Sequence, residues 1–357
     1  MRPLSPVLSH ILPATVLATI TLSATALSAQ PKIDNFARFF QPQIVPVTVD
    51  NFVRAATDIE MEKYVEISGG VNTLMHARQP TPVAHQPTIR MNRDTLYSMA
   101  VIDISEGATI TVPDVGDRYL SMMVVNQDHY INKVFHGGGT HTLDMDTFGT
   151  PFVMALFRIL VDGEDPDDVA AVNAIQDRIT LQAGASRPFD MPQYDEDDFQ
   201  HILNTTLELA RSIPDSAHTF GSRDEVDPIR HFIGTAYGWG GLPEAEAYYL
   251  NVDPGLPLGE YVIDVPADVP VQAFWSISLY NARGFFEPNP LNAYSVNSVT
   301  GTRADDGSTK VHLGGCDDGR ANCLPIMEGW NYAVRMYRPS PEILDGNWTF
   351  PTAQPMP

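Results

Sequence analysis

Residues 136–141 read His-Gly-Gly-Gly-Thr-His, a run that two kinds of enzyme site and one structural feature have in common. In α/β-hydrolases, a His-Gly-Gly-Gly run donates backbone N–H groups to an oxyanion, and a Gly-x-Ser-x-Gly turn downstream carries the nucleophile. In metal-dependent cyclases, a Gly-Thr-His with further His and Asp ligands binds the metal ion. A glycine-rich β-turn between two strands has the same composition.

Both catalytic interpretations fail on spacing. The chain has no Gly-x-Ser-x-Gly, and its nearest approach, residues 184–188 (GASRP), has proline in place of the second glycine. A cyclase site would need His-x-Gly-Thr-His-x-Asp, whereas His136 and Asp144 each stand one residue too far away. In a strand, one residue of error sends a side chain to the opposite face. The sequence therefore favours a β-turn bounded by two solvated histidines.

A metal site built from His129, His136 and His141 stays open as an alternative, because imidazole binds several metals. The signatures of nucleotide, flavin and zinc-protease sites are absent from the sequence. We predict no metal and no cofactor.

Two segments combine hydrogen-bonding residues with aromatic ones: residues 90–105 (RMNRDTLYSMAVIDIS) and residues 274–298 (FWSISLYNARGFFEPNPLNAYSVNS). Polar groups in an apolar setting need partners, which are either each other or a ligand. The sequence leaves both open, as a structural network or a binding site. The ligand-binding candidates are Asn92, Arg93, Tyr97, Tyr130, Asn289, Asn292 and Tyr294.

Four ionisable residues stand at the edges of apolar runs: Arg93 and Asp94 in "NRDTLYSMAV", and Asp128 and His129 in "MMVVNQDHY". Because these runs should form neighbouring strands, we predict that the four side chains lie close together. Asp94, Asp128 or His129 would then serve as a general acid or base. A brace between strands is the alternative.

The elements that must position these residues follow the order strands, helices, strands. Alternating and β-branched segments occupy residues 89–157 and return after Tyr249. This order predicts a β-rich α+β fold with two β-sandwich-like domains joined by a helical segment. The predicted parts are a signal peptide (1–29), a lead segment (30–57), a first β-rich domain (58–157), a helical connecting region (158–245) and a second β-sandwich domain (246–357).

Three helices are predicted in the connecting region from their start signals. The first runs from the Asp165-Pro166 cap to Gly184, the second covers residues 195–213, and the third starts at Asp227-Pro228. A further short helix is predicted from Pro243.

Charge and the N-terminal residues bear on location. The 357-residue chain carries a formal charge of −22, which disfavours nucleic acid and anionic membrane surfaces as partners. Arg2, the apolar run "ILPATVLATITLSATAL" and "ALSA" predict a signal peptide that is cleaved after Ser28 or Ala29. We therefore expect a periplasmic or secreted protein without a membrane span after cleavage.

Cys316 and Cys323 are the only cysteines and flank a polar, Gly-containing loop. In an oxidising compartment this pattern predicts a disulfide. A two-thiol metal site is the alternative, but no histidine lies between them.

The long motifs resemble a known family. "NRDTLYS" followed by "VPDVGDRYLSMMVVNQDHY" resembles the first domain of a bacterial envelope family, a domain of unknown function numbered twelve-fifty-four. "LPEAEAYYLNVD", the segment 274–298 and "YRPSPEILDGNWTFP" resemble its usual partner, numbered twelve-fourteen. The resemblance implies two β-sandwich-like domains with helices around them, in exported proteins that often self-associate. It implies no established reaction.

Three functions remain open at this point. The first is binding of a small polar molecule or glycan in a cleft between the two β-domains, since aromatic residues mixed with Asn and Arg suit such a site. The second is hydrolysis with Asp and His as acid and base. The third is a structural role in envelope assembly, with self-association into a homo-oligomer.

Overall fold

The structure is a computed structural model that describes residues 43–86, 88–213 and 215–356. The predicted signal peptide and residues 30–42 of the lead segment lie outside the described residues. Residues from Ile44 onward form one unit. A first helix, α1 (Phe52–Ser68), precedes the strands and contains residue 58, where the first domain is predicted to begin.

The first half is built on two antiparallel sheets. The larger has the order β1-β2-β7-β4-β5. Its strands are β1 (Met75–His76), β2 (Thr95–Asp103), β4 (Leu120–Asn126), β5 (Ile131–His136) and β7 (Phe152–Leu160). The smaller has the order β6-β3-β8. Its strands are β3 (Ala108–Val112), β6 (Gly139–Leu143) and β8 (Thr180–Ala183).

Apolar side chains from both sheets form the first core. Ile110 of β3, Leu143 of β6 and Phe157 of β7 are all fully buried in it. A short helix, α2 (Met145–Phe148), follows β6, and a longer one, α3 (Pro166–Gln176), covers the core with Val172. Two packed sheets with alternating inward side chains are a β-sandwich arrangement.

The second half repeats this arrangement with two four-stranded sheets. One has the order β12-β11-β15-β9 and the other β14-β13-β10-β16. The first contains β9 (Ala247–Val252), β11 (Trp275–Tyr280), β12 (Ser295–Asn297) and β15 (Asn331–Tyr337). The second contains β10 (Tyr261–Val265), β13 (Thr309–Leu313), β14 (Cys323–Leu324) and β16 (Gln354–Pro355). A short helix, α6 (Pro341–Leu344), follows β15. The β-rich α+β class is therefore confirmed.

A third core joins the halves. The face of the five-stranded sheet that is turned away from the first core contributes Met123 and Met154, which pack with Met61 of α1. Phe274 and Tyr337 of the second half belong to the same cluster, and their rings stack at 4.2 Å. Buried apolar surface thus holds the two halves together.

Three of the four helix starts were predicted correctly, and the first two helices end earlier than predicted. Asp165, Asp195 and Asp227 each accept a backbone N–H as the N-cap residue of α3, α4 (Glu196–Ala210) and α5 (Pro228–Gly238). The first helix does not reach Gly184, because the chain turns after Gln176 and enters β8, which pairs with β3. The residues after Pro243 form a turn rather than a helix.

The glycine-rich run is a bend between two strands that do not pair, and not the predicted β-turn. It connects β5, which ends at His136, to β6, which starts at Gly139, so it joins the two sheets of the first half. Gly137 has φ +67°, and a Cβ on Gly138 would stand 2.7 Å from the backbone of Asp114. Glycine is required at both positions for these reasons.

Within the described ranges, no helix is long and apolar enough to cross a membrane. The same ranges contain a Cys316–Cys323 disulfide, as predicted.

Candidate functional site

The four ionisable residues predicted to lie together form two separate groups. β2 and β4 both pair with β7, so Thr95 lies opposite Leu160 whereas Asn126 lies opposite Val153. Asp94 precedes β2 and Asp128 follows β4, which places them at opposite ends of the sheet. Seven residues of β7 separate these ends, roughly 23 Å at the usual rise of a strand. The prediction of one cluster was wrong. Because β7 lies between β2 and β4 and is antiparallel to both, β2 and β4 run in the same direction. The start of β2 and the end of β4 are therefore at opposite ends of the sheet.

At one end, Asp128 and His129 serve the helices. Arg54 of α1 donates through Nε to the Asp128 carboxylate at 3.0 Å. His129 is fully buried, with Nδ1 2.8 Å from the Thr235 hydroxyl, while the backbone N–H of Gly240 donates to its Nε2 at 3.0 Å. The Thr235 hydroxyl itself donates to the carbonyl of His231, so Nδ1 of His129 must carry the proton.

His129 also belongs to a stack of rings. Its ring lies 5.5 Å from that of Trp239 and 5.5 Å from that of His231, and Tyr130 stacks on His231 at 4.6 Å. Burial, and then the neighbouring His231, hold the pKa of His129 well below its ordinary value. The imidazole is therefore neutral, and Tyr130, a predicted ligand-binding residue, packs in this stack.

At the other end, Arg93 and Asp94 line a small cavity of about 160 Å³ together with Asn292 and Tyr294. The Ser295 hydroxyl donates to the Asp94 carboxylate at 3.2 Å. Arg93 pairs with a carboxylate of the first half and lies 4.9 Å above the Tyr294 ring.

Asn289, the remaining predicted residue of this loop, has a local role. Its side-chain oxygen accepts the backbone N–H groups of Leu291 and Ala293, each at 3.1 Å. It braces the turn that leads into β12.

A larger cavity of about 510 Å³ lies between the two halves. Asn92 and Tyr97 line it, so two of the predicted ligand-binding residues meet there. Its other walls come from β7, β9, β15 and the helical region. Its lining also includes Arg90, Arg158, Phe220, Tyr249, Leu250 and Arg335.

Arg158, in the middle of β7, is the most unusual residue of this cavity. Its side chain is buried, with the residue only 7% exposed, and Nη2 donates to the carbonyl of Gly240 at 3.1 Å. Nη1 is buried and has no hydrogen-bond partner among the described residues. The ionisable groups that act most strongly on the guanidinium are Tyr97, Tyr249 and Tyr119, and none of them is a carboxylate. A buried cation without a counter-ion is costly, so this one needs an explanation.

Arg335 of β15 approaches the same cavity from the second half. Nη1 donates to the Ser278 hydroxyl at 2.8 Å, and Nη2 donates to the carbonyl of Arg90 and to the hydroxyl of Tyr280, both at 2.8 Å. Arg335 thereby fixes the segment that carries Arg90.

Three guanidinium groups therefore meet around one cavity, in a chain with 44 acidic and 22 basic residues. Among the described residues, no carboxylate lies within ion-pair distance of the three, although the charge of Asp94 acts on Arg335 and that of Asp253 acts on Arg90. Asp215 also lines the cavity, but its carboxylate is 2.7 Å from Nη1 of Arg230. The arrangement favours a negatively charged ligand.

Neutral donors complete the cavity. Burial raises the pKa of Tyr249 above its ordinary value, so its hydroxyl stays protonated and can donate a hydrogen bond. The Asn92 amide donates to the hydroxyl of Tyr337 at 2.9 Å and its oxygen accepts the backbone N–H of Asp94 at 2.8 Å. Asn92 is held in place by these two contacts.

Gly240 connects His129 to this cavity. Its N–H donates to His129 and its carbonyl accepts from Arg158, and its φ of +73° is one that glycine adopts readily. His129 is therefore a positioning residue for Arg158, although it does not line the cavity. Sequence reasoning singled out His129 but missed Arg158, Gly240 and Arg335.

Another cleft, of about 790 Å³, has two charge pairs at its walls. His136 Nε2 lies 2.8 Å from Glu246, and Arg118 donates to Asp168 at 3.0 Å. The three histidines of the alternative metal site do not converge, since His141 packs on Phe135 at 4.3 Å. Within the described ranges, no three His, Cys, Asp or Glu side chains are placed to hold a metal ion.

Comparison with known families and structures agrees with this fold. Residues 71–144 match the family model of a protein of unknown function (DUF1254), and residues 255–341 match that of a second protein of unknown function (DUF1214). These are the two domains that the motifs resemble, in the predicted order. No curated protein matches the chain.

Two solved structures are similar. The crystal structure of the VPA0106 protein from Vibrio parahaemolyticus has a TM-score of 0.68 and 20% identity over 87% of this chain and 98% of that chain. A putative uncharacterized protein from Burkholderia cenocepacia has a TM-score of 0.50 and 15% identity over 85% of this chain and 87% of that chain. At these identities the likeness shows the fold alone.

Proposed function

We propose that the protein binds a small anionic organic molecule in the 510 Å³ cavity between its two β-rich halves. The observation that carries this proposal is the guanidinium of Arg158, buried and without a carboxylate partner. Leaving a cation in this state costs several kcal/mol, unless a ligand supplies the opposite charge.

The surroundings of Arg158 suit such a ligand. A guanidinium binds a carboxylate or phosphate through two parallel hydrogen bonds. The Tyr249 hydroxyl can donate a further hydrogen bond, and Tyr97 and Phe220 offer apolar walls. Ligand cavities commonly have a volume of about 300–1,000 Å³ and combine apolar walls with a few polar groups.

The charge also narrows the earlier expectation of a small polar molecule or glycan. A neutral glycan would leave the Arg158 charge uncompensated, whereas an acidic molecule neutralises it. Hydrolysis by Asp94, Asp128 and His129 has less support, because the three lie in two separate groups and His129 is fully buried. A purely structural role has less support, because it gives no reason for the buried charge of Arg158.

Calorimetric titration with benzoate and with its uncharged analogue benzamide tests the proposal. Benzoate should bind at least tenfold more tightly than benzamide, because a hydrogen bond to a charged group contributes about 1.5–3 kcal/mol. Arg158→Gln should weaken benzoate binding at least tenfold. Arg283→Gln, which removes an exposed guanidinium outside the cavity, is the matched control. Equal binding of the two probes, or full benzoate binding by Arg158→Gln, would refute the proposal.

Export of the protein is a second part of the proposal. The Cys316–Cys323 disulfide supports an oxidising compartment, either the periplasm or the medium. N-terminal sequencing of protein recovered from that compartment should find Ala29 or Gln30 as the first residue. Recovery of soluble protein that still starts at Met1 would contradict it.

A further inference from the structure

We infer that the ligand of this cavity carries two anionic groups, one paired with Arg158 and one with Arg90, joined by an apolar spacer along Tyr249. This inference rests on the proposed function and specifies its ligand class as a dicarboxylate or a similar dianion. The observation behind it is the guanidinium of Arg90, whose Nη1, like that of Arg158, has no hydrogen-bond partner among the described residues.

Arg90 has a fixed backbone and an uncompensated side chain. Its N–H donates to the carbonyl of Gly284 at 2.8 Å, and its own carbonyl accepts from Arg335. Its guanidinium lies 5.8 Å from the centre of the Tyr280 ring. Nη1 is buried without a hydrogen-bond partner among the described residues. The side chain therefore resembles that of Arg158 in lacking a counter-ion.

The electrostatics of Arg90 point the same way. Burial lowers the pKa of Arg90. Tyr280 opposes this effect, whereas Arg335 adds to it and outweighs the opposing carboxylate of Asp253. The guanidiniums of Arg90 and Arg335 thus lie close together on the side of the cavity that faces the second half. An anionic group at this position would relieve both burial and repulsion.

The two unpaired guanidiniums lie on different sides of the cavity. Arg158 belongs to β7 of the first half, whereas Arg90 is held by the backbone of Gly284 and by Arg335, both of the second half. Tyr249 lies between the two sides, since it is opposite Arg335 in the β9–β15 pair and is influenced by both Arg158 and Arg335. Each of the two guanidiniums has a buried Nη1 without a partner among the described residues, so each calls for an anionic group of its own.

The spacer between the two groups should be apolar. Tyr97, Tyr249 and Phe220 contribute aromatic rings to the lining of the cavity. Such walls gain free energy by contact with methylene or aromatic carbon. A chain of methylene groups with a carboxylate at each end meets these requirements.

Titration with linear dicarboxylates tests the inference. The probes are succinate, glutarate, adipate, pimelate and suberate, each compared at constant ionic strength with the monocarboxylate of equal carbon number. At least one dicarboxylate should bind tenfold or more tightly than its monocarboxylate. Arg90→Gln should abolish this advantage, whereas Arg158→Gln should weaken the binding of both monocarboxylates and dicarboxylates. Arg283→Gln is again the control.

The outcomes separate this inference from the proposed function. If monocarboxylates bind through Arg158 and no dicarboxylate binds more tightly, the inference is overturned and the proposed function stands. If no carboxylate binds at all, both are overturned. Should Arg90→Gln fail to fold, Arg90→Lys keeps the charge without the planar pair of donors and should reduce the dicarboxylate advantage at least threefold. An unchanged advantage in Arg90→Lys would count against Arg90 as the second anchor.

Discussion

Lowering the pH from 7 to 5 should destabilise the fold through His129. The imidazole is fully buried and uses both nitrogens, with the proton on Nδ1 facing Thr235 and the lone pair on Nε2 accepting from Gly240. A second proton on Nε2 would remove this acceptor and leave the N–H of Gly240 facing a buried cation. The fold therefore resists protonation of His129.

The size of the effect follows from the pKa. Burial, followed by the neighbouring His231, lowers the pKa of His129 well below the 6.5 of an ordinary histidine. Below pH 6.5 the unfolded chain binds a proton that the folded chain does not, so stability falls as the pH falls towards the folded-state pKa. The limiting slope for one group is about 1.4 kcal/mol per pH unit. His129 should contribute a loss of about 2 kcal/mol between pH 7 and pH 5.

Urea denaturation of wild type and His129→Gln at pH 7 and pH 5 measures this contribution. Glutamine can accept from Gly240 and donate to Thr235, but it does not titrate in this range. The wild type should lose about 2 kcal/mol more than the variant over the interval. His231, whose pKa burial also lowers, contributes to the slope of both proteins and cancels in the comparison. His201→Gln, at an exposed position of α4, should keep the wild-type slope. Equal slopes for wild type and His129→Gln would refute the reasoning.

Three further predictions concern stability. Arg158→Met should leave the free energy of unfolding unchanged or raise it by about 1 kcal/mol, because it replaces a buried unpaired cation with apolar volume; a loss above about 2 kcal/mol in urea denaturation would contradict this. Asp103→Asn should lower the free energy of unfolding by about 3 kcal/mol, because the fully buried carboxylate accepts from Nε and Nη2 of Arg187. The same loss in Arg187→Gln and in the double variant would show that the pair acts as a unit. Replacing both Cys316 and Cys323 with Ser should lower stability by about 2.5 kcal/mol, the loop-closure value for so short a loop, and a reductant should abolish the difference between variant and wild type.

Local patterns predicted the helix starts and most strands. An Asp followed by Pro fixes a helix start through chemistry confined to a few residues, and both Asp165 and Asp227 act as N-caps in this way. The end of α3 was harder to predict, because Val172 and Ile179 continue one apolar pattern across the change from helix to turn. Burial against the same core preserves that pattern whether or not the backbone stays helical.

The separation of Asp94 from His129 could not be predicted from local patterns. It depends on the order of the strands in the sheet, where β7 pairs with both β2 and β4 although about 25 residues of chain, including β5 and β6, lie between the end of β4 and β7. Long-range pairing of this kind follows from the sum of the packing and not from any one segment. Asn92 and Tyr97, which come from a segment of mixed polar and aromatic residues, both line the 510 Å³ cavity.

The signal for Arg158 was present in the sequence. It is the single charged residue among the nine of β7, whose other eight are apolar. Strand alternation puts Arg158 on the same face as Met154 and Leu156, which pack at the junction of the halves, and opposite to Phe157 in the first core. A charge on such a face needs a counter-ion from the protein or from a ligand.

The same reasoning applies to β15 and completes the argument for the cavity. Arg335 is the single charged residue of that strand. Alternation puts it on the face of Ala333 and Tyr337, opposite to Val334, which packs in the core of the second half. β7 and β15 are both flanked by strands on each side, and each directs its one guanidinium towards the opposite half. Packing alone would favour an apolar residue at each position. Two independent strands that keep a cation on facing surfaces, in a chain with a net charge of −22, therefore support the proposal of an anion bound between them.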